Sequence, residues 1–178
     1  MKKILTLFAV VGLIVFSSCE GPEGPEGPPG YDGKDAVMAE VFELNNVNFS
    51  FNATDGYNIY RTLNPVLVQS DVILIYRLTG TINSTTPVWQ QIPRTLYTSK
   101  GELDYDFDFS KQDFTIYAGG NYDLALTPEF LNNQTFRIVI VQGEFSTTGK
   151  SASKPDYSDY NAVIKKYNID DTNVKQLK

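Results

Sequence analysis

Residues 72–76 read VILIY, and residues 136–141 read FRIVIV. Continuous apolar runs of this length, rich in β-branched residues, are typical of strands that are buried on both faces. Such strands lie at the centre of a sandwich or of a sheet that is covered on both sides. The two runs therefore predict the central strands of an all-β module.

A different pattern, LDYDFDF, occupies residues 103–109. Apolar and acidic residues alternate along it, as expected of a strand with one face toward the core and one toward water. Further strands are predicted at 37–44, 47–52, 57–63 and 113–118. Turn signals such as Asp55-Gly56 separate these segments. This succession favours an antiparallel β-sandwich or a barrel-like module.

The period of the apolar residues changes near the C-terminus. Four of them are spaced i, i+3, i+4, i+7, as on one face of a helix: Tyr160, Val163, Ile164 and Tyr167. We expect a short C-terminal helix that has Ser158 as its N-cap and packs over an open end of the sheet structure.

The composition excludes several classes of function. The chain has 178 residues, with 15 Lys and Arg against 21 Asp and Glu, no His and one Cys. A net charge of -6 argues against nucleic-acid binding, which requires a basic face. Without His the commonest general base and metal ligand is missing, and one Cys permits neither an internal disulfide nor a Cys-cluster zinc site. We expect no cofactor.

The sequence also lacks the usual signatures of catalysis. It contains no nucleophile elbow, no phosphate-binding loop and no run of metal ligands. We therefore predict that the chain is not an enzyme. Glycoside hydrolysis, which needs only paired carboxylates, is the remaining catalytic alternative.

Residues 1–18, MKKILTLFAVVGLIVFSS, combine a basic start, an apolar run and small residues immediately before Cys19. The arrangement resembles a bacterial lipoprotein signal, although Phe16 stands where that family usually has Leu. The resemblance implies that residues 1–18 are removed and that Cys19 becomes the lipid-modified first residue. Acyl chains on Cys19 would then hold the protein on a membrane. The alternative is a plain secretory signal followed by a free thiol.

Glycine occupies every third position from residue 21 to residue 33 within the segment GPEGPEGPPGYDGKD. This is the collagen pattern, which also suits an extended polyproline-II chain. We predict that residues 19–36 carry the lipid anchor and an acidic spacer, and that residues 37–178 form the β module. A monomer is favoured, and trimerisation through the spacer is the alternative.

The spacer and four further segments together resemble a family of small Bacteroidota lipoproteins that are often labelled collagen-like. The segments are VWQQIPRT (88–95), GELDYDFDF (101–109), QTFRIVIVQGEF (134–145) and SDYNAVIKKYNI (158–169). The resemblance implies a lipid-anchored protein of the bacterial cell envelope, at the outer membrane, with display on the cell surface as an alternative. It implies no activity.

Two groups of side chains are candidates for binding. Trp89 lies between prolines, which suggests an edge or loop position, and with Tyr97 and Tyr122 it would offer aromatic faces to a glycan. The aspartates of residues 103–109 are candidates for calcium: Asp104, Asp106 and Asp108. Same-face residues on a strand lie about 6.6–7 Å apart, so a solvated acidic face is the other interpretation.

These features lead to two hypotheses for function. The first is a membrane-anchored, non-catalytic module that acts in binding or assembly at the end of a spacer. The second is a glycan-binding or glycan-processing accessory lipoprotein. The partner, a protein or a glycan, stays open at this point.

Overall fold

Ten strands form two five-stranded sheets in the computed structural model, which describes residues 39–141 and 156–177. The strands are β1 Glu40–Val47, β2 Ser50–Asn52, β3 Gly56–Thr62, β4 Val72–Ile82, β5 Thr86–Ile92, β6 Arg94–Thr98, β7 Gly101–Phe109, β8 Asp113–Gly120, β9 Gln134–Val141 and β10 Lys175–Gln176. Two short 3-10 turns, Leu124–Leu126 and Pro128–Phe130, precede β9, and helix α1 spans Tyr160–Lys166. The predicted signal segment, Cys19, the spacer and the boundary at residue 37 lie outside the described residues.

The two sheets are open and mostly antiparallel. Sheet A has the strand order β10-β1-β9-β4-β5, and sheet B has the order β2-β3-β8-β7-β6. Only the short pairing of β10 with β1 is parallel among the described strands. The prediction of an all-β, sandwich-like module with a short C-terminal helix is confirmed, and neither sheet closes into a barrel.

The two apolar runs of the sequence are adjacent strands of sheet A. VILIY begins β4 and FRIVIV lies in β9, which is the middle strand of the sheet. One side of this pair, which includes Ile75 and Ile138, is buried against sheet B. The other side, which includes Tyr76 and Val139, is buried beneath the C-terminal residues. Burial on both faces, as predicted, explains why these segments contain no apolar–polar alternation.

The main core lies between the sheets. Sheet A contributes side chains such as Phe136 and Ile138, and sheet B contributes Leu103, Phe114 and Ile116, all of which have no accessible surface. Burying a side chain of this size stabilises the fold by about 1.5–3 kcal/mol. The alternation of LDYDFDF places Leu103 in this core, and the aspartates of β7 point away from it.

Helix α1 packs on the outer face of sheet A. Its side chains Tyr160 and Val163 join a second core with Leu74, Tyr76 and Val139 of the sheet. The expectation that the helix covers an open end of the sheets is therefore corrected. The physical reason is that the central strands of sheet A are apolar on both faces, so the outer face needs a cover of its own.

The largest errors of the strand prediction concern the ends of strands and the edge strands of the two sheets. Strand β4 continues to Ile82, beyond the predicted end at residue 76, and the predicted strand 47–52 divides between two sheets. Strands β5 and β6 were not predicted. They are the edge strands of sheets A and B, and each contains or adjoins a proline, Pro87 or Pro93. Proline is tolerated at such edges because one row of backbone N–H groups needs no partner there.

The N-cap of α1 is Asp159, one residue beyond the predicted Ser158. The Asp159 carboxylate accepts a hydrogen bond of 3.1 Å from the backbone N of Ala162. The Ser158 hydroxyl donates instead to Asp156 Oδ1 at 2.7 Å. This bond and a second one from the Ser158 backbone N hold the pKa of Asp156 below its usual value.

Replacing the true cap should therefore weaken the helix. We expect Asp159→Ala to lower the free energy of unfolding by about 1 kcal/mol, because a backbone N–H of the first turn loses its acceptor. Ser158→Ala is the matched control and should change stability by less than about 0.5 kcal/mol, as surface substitutions usually do. Urea unfolding measures both changes, and equal losses would contradict the assignment of the cap.

Candidate binding face

The outer face of sheet B carries the aspartates singled out in the sequence. Strand β7 turns Leu103 and Tyr105 into the core and leaves Asp104, Asp106 and Asp108 exposed. The cross-strand register extends this face over the neighbouring strands. We define the candidate binding face as the outward-pointing residues Asn58, Tyr60, Thr95, Tyr97, Glu102, Asp104, Asp106, Asp108, Asp113, Thr115 and Tyr117.

Tyrosine hydroxyls, rather than basic side chains, are the partners of two carboxylates on this face. Tyr117 Oη donates to Asp108 at 2.9 Å, and Tyr60 Oη donates to Asp113 at 3.0 Å. The bond to Asp113 raises the pKa of Tyr60. The pKa of Tyr117 is also raised, mainly by burial. Both phenols therefore stay protonated and act as hydrogen-bond donors at neutral pH.

No Lys or Arg is among the outward-pointing residues of the five strands of sheet B. The residues directly opposite the three aspartates of β7 are Thr95 and Gly119 for Asp104, Tyr117 for Asp106 and Thr115 for Asp108. The five carboxylates of the face therefore have no basic residue directly opposite them in the sheet, and together they give the face a negative field.

The calcium alternative requires carboxylates that converge on one point. Within residues 39–141 and 156–177, no group of three or more His, Cys, Asp or Glu side chains is arranged to hold a metal ion. The same-face spacing along a strand accounts for this, because calcium needs its oxygens at about 2.3–2.6 Å from one centre. Asp104, Asp106 and Asp108 line an extended face.

A cleft of about 250 Å³ opens beside this face at the start of β6. Its walls include Arg94, Thr95, Asp104 and Asp106. Because β6 begins at Arg94, the later part of β7 has no partner strand on that side. The cleft thus offers two carboxylates and one guanidinium to a polar ligand.

The three aromatic candidates do not form one platform. Trp89 packs against the second core, between sheet A and α1. Tyr122 packs against the main core, and its hydroxyl lies 2.8 Å from Thr127 Oγ1. Tyr97, on the edge strand β6, is 82% exposed and belongs to the candidate binding face. Of the three, only Tyr97 presents an open ring to solvent.

Trp89 is held by a charged residue and by the C-terminal helix. The guanidinium carbon of Arg137 lies 4.5 Å from the centre of the Trp89 ring, and the ring centres of Trp89 and Tyr160 are 5.6 Å apart. The edge position suggested by the prolines is confirmed, since β5 is an edge strand. The ring nevertheless faces protein, and its Nε1 is buried without a hydrogen-bond partner among the described residues.

Two arginines with structural roles were not predicted from the sequence. Arg137 interrupts FRIVIV, and Arg77 directly follows VILIY. A charged residue inside or next to a buried strand signals an internal partner, because a buried charge is costly unless it is paired. Arg137 has such partners in Glu43, at 3.3 Å, and Asp171, at 3.0 Å.

Cys19 and the Gly-x-y spacer lie outside the described residues. In the part of the chain that the structure describes, no helix is both long and apolar enough to cross a membrane. Neither a scan of protein-family models nor searches of curated proteins and of solved structures found a match to this chain.

Proposed function

We propose that the chain is a lipid-anchored, non-catalytic binding module of the bacterial cell envelope, at the outer membrane. Cys19 carries the acyl anchor, residues 20–36 form an extended acidic spacer, and the β-sandwich acts as a monomer at the end of that spacer. The position of the sole cysteine immediately after the signal-like segment supports the anchor. At about 3.1 Å per residue the spacer would hold the sandwich up to roughly 50 Å from the membrane.

The module binds its partner, in this proposal, through the candidate binding face. The outer face of sheet A is covered by α1, whereas none of the described elements covers the outer face of sheet B. Five carboxylates point outward there with no Lys or Arg directly opposite them in the strand pairing, and Arg94 lines the neighbouring cleft. Charge complementarity favours a protein partner with a basic surface, because opposite charges steer association and select the partner.

Crosslinking on living cells tests this proposal. A photo-crosslinking residue is placed either at Thr115, inside the face, or at Thr85, in the β4–β5 turn. We expect the residue at Thr115 to capture a partner protein and the residue at Thr85 not to capture it. The double variant Asp104→Lys/Asp106→Lys should reduce capture at least about tenfold, as should high salt, because charge pairing is lost or screened. Glu129→Lys, which makes the same charge change as either single substitution but on the exposed second 3-10 turn, is the control.

Two results would contradict the proposed binding face. One is equal capture from Thr115 and Thr85. The other is that the double variant and the Glu129→Lys control reduce capture from Thr115 to the same extent.

A glycan-binding accessory is the second candidate, and the exposure of Tyr97 favours it. This ring lies directly opposite Glu102 on the neighbouring strand. An open aromatic face beside a carboxylate suits the apolar face and the hydroxyls of a sugar. In this case, retention on a polysaccharide affinity gel should depend on Tyr97 and persist in high salt. Tyr97→Ala would then abolish retention, while Trp89→Phe would leave it unchanged.

A further inference from the structure

Arg77 lies where two strands of sheet A separate. It pairs with Phe136 at the last register position shared by β4 and β9, and beyond it β4 continues to Ile82 paired with β5 alone. The register of the β4–β5 pair shifts between Leu78 and Gly80. A cleft of about 240 Å³ opens at this separation, and its lining includes Arg77, Thr79, Gly80, Asn133, Gln134 and Thr135.

The guanidinium of Arg77 is held in a fixed position. Its Nε donates to Gln134 Oε1 at 2.8 Å. Gln134 is only 5% exposed, and its Nε2 donates to the backbone oxygens of Glu129 and Asn132. The guanidinium also lies over the ring of Tyr105, with 4.8 Å from its carbon to the ring centre. A cation oriented in this way loses little conformational freedom when it binds a ligand.

Arg77 has no counter-ion within the described residues. The contrast with Arg137 is direct, since that side chain is paired with two carboxylates. No Asp or Glu of the described part lies within ion-pair distance of Arg77, although its side chain is partly withdrawn from water. Apart from Gln134 and the hydroxyl of Tyr105, the described residues give the guanidinium no hydrogen-bond partner, which leaves Nη N–H groups for an anion from outside the fold. A planar carboxylate matches the fork of a guanidinium with two parallel hydrogen bonds.

The rest of the lining suits a small polar ligand. Thr79 and Thr135 carry hydroxyls, and the exposed Asn133 carries a carboxamide that makes no hydrogen bond within the described part. The volume is below the roughly 300–1,000 Å³ of typical ligand pockets. A group the size of one sugar or one amino-acid residue fits such a volume.

We propose that this cleft binds the carboxylate of a small acidic ligand, with Arg77 as the anion-binding residue and Asn133 as a second polar contact. The ligand is of the size of one uronic acid or one acidic amino-acid residue. The site uses no residue of the candidate binding face, so its failure would leave the proposed function standing.

NMR titration of the ¹⁵N-labelled full-length protein in detergent solution tests the proposal. The probes are two matched pairs: D-glucuronate with D-glucose, and N-acetylglutamate with N-acetylglutamine. We expect the carboxylates to bind in the millimolar range and to shift the amide signals of residues 77–80 and 133–135. The uncharged members should bind at least about tenfold more weakly. The tighter of the two acids identifies the ligand as a sugar acid or as an acidic amino acid.

Variants assign the binding to the cleft. Arg77→Lys keeps the charge but loses the fork, and should weaken binding about tenfold. Asn133→Gly removes the carboxamide and should weaken binding several-fold. The fold should be kept, because Asn133 has a φ of 53° that glycine adopts freely. This variant decides the matter if Arg77→Lys does not fold. Lys100→Gln, in the exposed turn between β6 and β7, should leave binding unchanged.

Three results would overturn the proposal. The first is that acids and their uncharged counterparts shift the same signals equally, or not at all. The second is that a folded Arg77→Lys, or Asn133→Gly if Arg77→Lys does not fold, binds like the unmodified protein. The third is that Lys100→Gln weakens binding as much as Arg77→Lys.

Discussion

Arg137→Met should lower the free energy of unfolding by about 3 kcal/mol, the lower end of the range for breaking a buried ion pair. Arg137 points out of the middle strand of sheet A, and its side chain is 14% exposed. It donates to Glu43 Oε2 at 3.3 Å, to Asp171 Oδ2 at 3.0 Å and to the hydroxyl of Tyr160. Methionine fills similar space but leaves both carboxylates without their cation. The lower end applies because the Asp171 side chain is still 31% exposed.

The same substitution should loosen the C-terminal residues before the sandwich unfolds. Tyr160 Oη also donates to Asp171 at 2.9 Å, so Arg137, Tyr160 and Asp171 form one network that holds α1 and the following segment on sheet A. In Arg137→Met, amide hydrogen exchange over residues 160–177 should accelerate more than exchange in the core strand β8. Faster exchange confined to one part of the fold indicates local opening.

An exposed ion pair on the same sheet provides the control. Lys175 Nζ lies 3.4 Å from Glu40 Oε1, and the lysine side chain is 71% exposed. Lys175→Met should therefore change stability by less than about 1 kcal/mol, as is usual for surface pairs. Urea unfolding compares the two variants. A loss below about 1 kcal/mol for Arg137→Met would mean that the network does not hold the C-terminal residues in place.

The central part of the fold could be predicted from short-range patterns. The runs at 72–76 and 136–141 are adjacent strands that are buried on both faces, and the alternation at 103–109 places its aspartates outside. Each of these conclusions depends only on the two-residue period of a strand and on apolar content. Strands β5 and β6 escaped prediction because Pro87 and Pro93 obscure the pattern that central strands show.

The contacts of the candidate residues could not be predicted, because they depend on strand register. Glu43 and Arg137 are directly opposite in the pairing of β1 with β9, yet 94 residues separate them in the chain. Trp89 is covered by Tyr160 of α1, so a residue that seemed free for a glycan belongs to the packing of the helix. Which face of a strand is covered is decided by distant segments, and a single strand sequence does not contain that information.

Cys19→Ala should transfer the protein from the membrane to the soluble fraction of the cell. In the proposed function, acyl chains on Cys19 hold the protein on the membrane, and each buried CH₂ contributes about 0.8 kcal/mol. One chain alone gives weak, reversible binding, whereas two or more hold a protein almost permanently. Ser18→Ala is the matched control, because it keeps a small residue beside an intact cysteine and should sediment with membranes. A Cys19→Ala protein that still sediments with membranes would count against the anchor.

Metabolic labelling with an alkyne fatty acid tests the lipid anchor most directly. Cells that express the unmodified protein, Ser18→Ala or Cys19→Ala are grown with the label, and each protein is purified and coupled to a fluorescent azide. If Cys19 carries the lipid anchor, we expect equal labelling of the unmodified protein and Ser18→Ala, and no labelling of Cys19→Ala. An unmodified protein without label, or a Cys19→Ala protein that is labelled as strongly, would contradict it.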